Sequence, residues 1–440
     1  MPRQTTGQAS MPRSATSKKP ASPSRYNARE CLDLRSALQA LTRKIWRPLM
    51  TDKSRPGPLS GMRIVDMSSV VLGPFATLIL ADLGAEVIKI EPPKKRDTMR
   101  YAGASPTGDL GPIYMALNRN KRALTLDAKT PEGKAALTEL LKTADCFFHN
   151  VRLAGMERLG FGYEQVKALK EDIVYVHCAG FGKGGPYEHR QAYDDLIQGA
   201  SGFADLNALR SGGRPEYAPS LVADKTAGLF ATYATLAALL HRARSGKGQF
   251  VQVPMLESFT FFNMVENLYG ETFLPGNGKL AYTRSINPNR RPYPTKDGFI
   301  GLVPYSDEQW EKFFQIGGMP DIFKDPRFST YQARTENVGD LYALIEKVSA
   351  TKTTAEWLEL MDKADIPAMR YNTMAEVLTD PHLVATGFFT EAEHPEAGKY
   401  RTMRHPVHFS ETPASLRLPP PRPGADTESI LESLGLGAEG

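Results

Sequence analysis

Residues 59–91 read LSGMRIVDMSSVVLGPFATLILADLGAEVIKIE, and this stretch decides the fold. MRIVDM (62–67) is a short apolar strand. GPFATLILADLG (73–84) follows as a helix, opened by Gly73-Pro74 and closed by Gly84, and EVIKIE (86–91) is the next strand. Strand, helix and strand within about 30 residues make a βαβ unit, which predicts a parallel sheet with a right-handed crossover.

The alternation continues outward. RALTLD (122–127) reads as a strand and TPEGKAALTELLKTA (130–144) as a helix, with Thr130 as cap and Pro131 at its first position. DCFFHN (145–150) and IVYVHCAGF (173–181) are strands. DKTAGLFATYATLAALLHRARSG (224–246) is a long apolar helix and QFVQVPML (249–256) a further strand. Such β/α alternation over about 200 residues predicts an α/β fold, a Rossmann-like large domain with a parallel sheet. After residue 256 the texture changes to short strands between helices such as TTAEWLELMDKADI (353–366), which predicts a smaller α+β domain. The predicted division is a disordered basic extension over 1–56, the large domain over 57–255, the small domain over 256–385, and a C-terminal return to the large domain over 386–440.

Charge is uneven. Residues 1–60 hold 12 Lys/Arg against 3 Asp/Glu, so the net +5 of the chain leaves about −4 for the rest. The body is mildly acidic and the basic pI does not argue for nucleic acid. Residues 1–29 lack Asp and Glu and carry too little apolar side chain to offset ordering entropy. An Arg- and Ser-rich start also resembles a mitochondrial transit peptide; without one, the expected location is cytoplasmic. A helix is readable over 28–47 and a linker over 54–61. No stretch is long and apolar enough for a membrane span. The cysteines, Cys31, Cys146 and Cys178, form no metal-ligand spacing, and no metal is expected.

Several chemistries lack their signatures. The first turn, SSVVLGP (68–74), carries one glycine, too few for a dinucleotide fingerprint, so Glu91 is expected to be a solvated strand-end carboxylate. GxxxxGK[ST], HExxH and GxSxG are absent. His149 and His177 end apolar strands and read as satisfied core or rim histidines.

The opening run, extended to Pro93, resembles the N-terminal signature of the class III CoA-transferase family. That family groups formyl-CoA transferase, carnitine CoA-transferase and α-methylacyl-CoA racemase. NRNKRALTLDAKTPEGKAAL (118–137), NVRLAGMERLGFGYEQV (150–166), AGFGKGGPY (179–187), YDDLIQGASG (193–202) and YPTKDGFI (293–300) follow in the family's order. DPH (380–382), PVHFSETPA (406–414) and LESLGLG (431–437) match as well, so the likeness covers roughly 57–440.

The resemblance implies a mechanism. A carboxylate attacks an acyl-CoA thioester to give an enzyme-bound anhydride, CoA returns to give an aspartyl-CoA thioester, and an acceptor carboxylate takes the CoA. The family's aspartate begins a helix in a D-x-x-x-G context, which is Asp224 in LVADKTAG (221–228). The helix dipole and backbone N–H groups are expected to keep it ionised. The racemase branch carries GHD where this chain reads AYD. Tyr193 thus stands at the histidine's place, a poor base for an α-proton at neutral pH. It is expected to be an aromatic wall of the acyl pocket. An acyl-CoA racemase or epimerase of the family, or a catalytically silent CoA-binding homologue, remain the alternatives.

The likeness also places the contacts to coenzyme A. They fall on the Val70–Val71–Leu72 turn, on Leu126, Asp127, Ala128 and Lys129, on Asn150, Val151 and Arg152, and on Arg158 as a phosphate-holding arginine. Val71 and Pro92 stand where formyl-CoA transferases often carry glutamine and arginine, which weakens a case for oxalate. LPGNGK (274–279) is the nearest candidate for the family's glycine flap. The implied partners are an acyl-CoA, a carboxylic acid and a second copy of the chain in an interlocked homodimer. Coenzyme A is then a substrate, with no permanently bound cofactor, no nucleic acid and no membrane.

Overall fold

In the computed structural model residues 56–436 are described. The expectations for the extension and for the helix over 28–47 lie outside the described residues. Six strands form one sheet: β1 Arg63–Met67, β2 Glu86–Glu91, β3 Lys121–Thr125, β4 Cys146–His149, β5 Val174–Ala179 and β6 Gln249–Pro254. Their order is β3-β2-β1-β4-β5-β6, and every pair is parallel. The central strands are mostly apolar and buried on both faces, as a sheet covered by helices requires, with Asp66, Lys89 and His149 as buried polar exceptions. The order reverses between β1 and β4, so a crevice opens there beyond the carboxyl ends of the strands.

One face of the sheet is covered by the helices Leu72–Asp82 and Val222–Ser245, which share a core with Phe148 and Val176. Small residues make their close approach possible. Ala223, Ala227 and Ala231 are fully buried, and a Cβ on Gly228 would meet the Leu72 carbonyl oxygen at 2.9 Å. Asp224 lies one turn before Gly228, so it stands beside the start of Leu72–Asp82. The other face carries Leu137, Leu140, Phe147 and, from the helix Thr427–Ser433, Ile430.

A separate core, containing Trp310, Phe313, Ile345 and Trp357, spans residues 293–366. It packs around a three-stranded antiparallel sheet of β7 Tyr293–Pro294, β8 Phe299–Leu302 and β9 Ala368–Arg370. A hairpin, β10 Phe389–His394 and β11 Gly398–Met403, precedes the last helix. The fold is mixed α/β, a six-stranded parallel sheet with smaller antiparallel ones.

Two expectations fail on burial. Glu91 is not solvated: it is 4% exposed and accepts from Arg100 Nε at 2.9 Å. A strand-end carboxylate could be buried here because an arginine nine residues on turns back to meet it. His149 and His177 are core residues, adjacent in register, and only partly satisfied: His149 Nε2 pairs with the Tyr175 hydroxyl at 2.9 Å. Each has a buried Nδ1 without a hydrogen-bond partner among the described residues.

Candidate functional site

Asp224 occupies the first turn of Val222–Ser245, at the third helical position rather than the cap; Leu221 is the N-cap and makes no side-chain cap bond. Asp194 opens the short helix Asp194–Ala200. Its Oδ1 accepts from the Asp224 backbone N–H at 2.9 Å, and its Oδ2 accepts from Gln198 Nε2 at 2.6 Å. Gln198 Oε1 in turn accepts from the Ala218 N–H at 2.8 Å, just before the long helix. Asp194 is 4% and Gln198 0% exposed. A buried, fully oriented carboxylate therefore stands next to Asp224.

This corrects the expectation that the helix dipole and backbone N–H groups keep Asp224 ionised. Burial first, and the Asp194 carboxylate second, push Asp224 up to about 7. The Asp224 backbone N–H is given to Asp194 and does not serve its own side chain. A carboxylate titrating near neutrality, beside a second carboxylate, has the electrostatics of a reacting group.

The sign of the pH dependence follows. Between about 4 and about 7 the folded chain keeps a proton on Asp224 that the unfolded chain releases, so this group lowers stability as pH rises through that window. Asp224→Asn should remove that slope. Its melting temperature should exceed wild type by a few degrees at pH 8 and by less at pH 5. A gap that does not grow with pH would contradict the assignment.

A second feature is a cavity of about 570 Å³ at the carboxyl ends of the strands. Val70, Leu126, Asp127, Ala128, Lys129 and Val151 line it together. It lies at the β1/β4 reversal, where the topology predicts a ligand. Asn150 is adjacent: its side chain bonds both the N–H and the carbonyl of Ser69, at 3.1 and 2.9 Å. Five of the other site residues do not line this cavity. The side chains of Val71 and Leu72 are buried in core clusters. Arg152 and Arg158 sit on the exposed flank of the helix Leu153–Leu159. Tyr193, 60% exposed, directly precedes Asp194. LPGNGK (274–279) is exposed and also lies away from the cavity lining.

Sequence reasoning missed the cavity's basic wall. Lys94, Lys95 and Arg96 line it with Lys129, and the Arg96 Nε is buried without an acceptor among the described residues. The signal was the run KKR three residues after β2, where only the topology shows that it faces the crevice. Also unforeseen was a buried ionic floor of Asp66, Glu91 and Asp97 against Lys89, Lys121 and Arg100, all at most 4% exposed. Lys89 Nζ meets Asp97 at 3.0 Å and Lys121 Nζ meets Asp66 at 3.4 Å. The charges balance, as burial demands.

The profile described as CoA-transferase family III matches residues 59–427. A succinate–glutarate CoA-transferase of Agrobacterium fabrum is 32% identical over 395 residues, covering 88% of this chain and 98% of that one. A formyl-CoA:oxalate CoA-transferase of Afipia carboxidovorans is 30% identical, covering 86% and 93%. Among solved structures, a CAIB/BAIF family protein from Brucella suis superposes with a TM-score of 0.74 at 29% identity, covering 86% of this chain and all of that one. With the profile spanning most of the chain and these relatives matched nearly end to end, the chain belongs to CoA-transferase family III and is a class III CoA-transferase.

Proposed function

We propose that the enzyme moves coenzyme A from an acyl-CoA to a carboxylic acid with Asp224 as the covalent nucleophile. The observation that carries this is Asp224 itself, in a first helical turn beside Asp194 and titrating near neutrality. Its carboxylate oxygen attacks the thioester carbon, the C–S bond breaks and CoA leaves as thiolate. The thiolate attacks the Asp224 carbonyl of the anhydride and releases the donor acid as carboxylate. An acceptor carboxylate then displaces CoA from the aspartyl thioester, and the thiolate takes the acyl group from the second anhydride. Asp194 orients the Asp224 backbone and, by its charge, makes the neighbouring carboxylate the more basic nucleophile.

The 570 Å³ cavity with Lys94, Lys95, Arg96 and Lys129 suits the nucleotide phosphates of coenzyme A. Relatives are named for succinate, glutarate, D-citramalate and oxalate, and a dicarboxylic acid is the acceptor we favour. Tyr193 forms a wall of the acyl site, and Val71, Leu72, Asn150, Arg152 and Arg158 support the CoA contacts. The body divides into a large domain over 57–255 with a return over 386–440, and a small domain over 256–385. Exposed Leu229, Tyr233, Phe261 and Val265 on consecutive helices are a face for a second copy, a homodimer.

The test is a matrix of CoA donors and ¹⁸O-labelled dicarboxylates run in D₂O. Acceptor oxygen passes through the anhydride, so the peptide holding Asp224 should gain ¹⁸O while the acyl chain gains no deuterium. Deuterium at the carbon next to the thioester, without ¹⁸O in Asp224, would replace this reading by a racemase.

A further inference from the structure

We infer that Asp97 is a positioning residue for the coenzyme A pocket: it holds Val70 in the left-handed conformation that shapes the pocket's wall. The inference rests on the proposed function only in naming the ligand. Val70 has φ of +72°, a conformation unfavourable for a β-branched residue, and must be held by its surroundings. The holding groups are all present. Asp97 Oδ1 accepts from the Val70 N–H at 3.2 Å and from the Met99 N–H at 3.0 Å. Its Oδ2 meets Lys89 Nζ at 3.0 Å, and Lys89 also donates to the Ser68 carbonyl at 2.9 Å. Asp66 Oδ1 takes the Ser68 N–H at 2.8 Å, and Asn150 clamps Ser69 from both sides. Four side chains, three of them from other segments of the chain, thus bond the backbone of residues 68–70.

Asp97 differs from the other clamps in its place in the chain. It directly follows Lys94–Lys95–Arg96, and all four residues line the cavity together with Ser68, Ser69 and Val70. It is 3% exposed, and its own N–H donates to Glu91 Oε1 at 2.9 Å. One carboxylate therefore ties the basic wall to the strained turn opposite. Without it, Val70 can relax toward a right-handed or extended conformation, and the wall changes shape.

Glycine adopts positive φ without strain, so the test is a double-mutant cycle. Coenzyme A affinity is measured by calorimetry on the full chain for wild type, Asp97→Ala, Val70→Gly and the pair. Asp97→Ala should weaken binding about 30-fold in the parent chain and less than about fivefold when Val70→Gly is already present. Equal losses in both backgrounds, or a lowered melting temperature with unchanged affinity, would overturn the inference and leave Asp97 a purely structural ion-pair partner. Asp97→Asn in the same cycle covers the case in which Asp97→Ala does not fold, with a smaller loss, about fivefold, and the same sign of coupling. If wild type binds no coenzyme A, the proposed function fails, and amide exchange of the peptide 67–75 decides instead. That exchange should be at least about tenfold faster in whichever Asp97 variant folds, and unchanged exchange would overturn the inference.

Discussion

Asp224→Ala is expected to lower CoA transfer by about 10³-fold or more while coenzyme A still binds. The size follows from the chemistry. Without the carboxylate no anhydride and no aspartyl thioester can form, and direct exchange between an acyl-CoA and a free carboxylate has no activated intermediate. Binding should survive because the cavity residues proposed to face the nucleotide, Lys94 to Arg96 and Leu126 to Lys129, lie on segments following β2 and β3. None of them bonds Asp224, whose backbone N–H is held by Asp194.

The same substitution should raise stability above pH 7. Burial and the Asp194 carboxylate oppose the ionised side chain, so removing it relieves a cost that the folded state carries for function. A purely structural aspartate would give the opposite pair of results, a less stable chain with turnover reduced only through unfolding. The measurement is kcat per active site together with the melting temperature at pH 8. Near wild-type kcat, or a large fall in melting temperature with proportionate activity loss, would remove Asp224 from the mechanism.

What could be read from the chain follows the range of the physics involved. The βαβ unit and the later alternation were legible because apolar period and the Gly-Pro and Thr-Pro helix signals are local. Asp224 was legible as a residue type within a family pattern, but its chemistry was not. The expectation of an ionised carboxylate came from the helix start alone. The deciding facts are burial and Asp194, 30 residues away and brought next to it by packing. Glu91 was misread for the same reason, since its partner Arg100 lies beyond a loop whose path no periodicity encodes. Lys94 to Arg96 look like any solvated charge run until the strand order places them at the carboxyl ends of β2 and β1. Contacts within one element were readable, and contacts made by the assembly of elements were not.

Replacing Lys94, Lys95 and Arg96 together by alanine should raise the KM for an acyl-CoA by about 10²-fold and leave kcat within about threefold. The three cations line one wall of the cavity, and the Arg96 Nε is a buried donor with no acceptor among the described residues. An orphaned buried donor costs free energy unless a ligand satisfies it, so its loss should fall on binding and not on folding. Lys94 and Lys95 are exposed, which keeps each contribution near 1 kcal/mol and makes it salt-sensitive. With Arg96 adding a contribution of similar size, the three contacts give the expected factor, and the part due to Lys94 and Lys95 should shrink from low salt to about 0.5 M as screening shortens the Debye length to a few Å. The specificity control is the donor itself. A succinyl-pantetheine thioester has the reacting bond but no nucleotide, so it should react with the variant as it does with wild type. If the variant loses equally on both thioesters, the basic wall acts on the reaction centre instead; if it loses on neither, the nucleotide lies elsewhere.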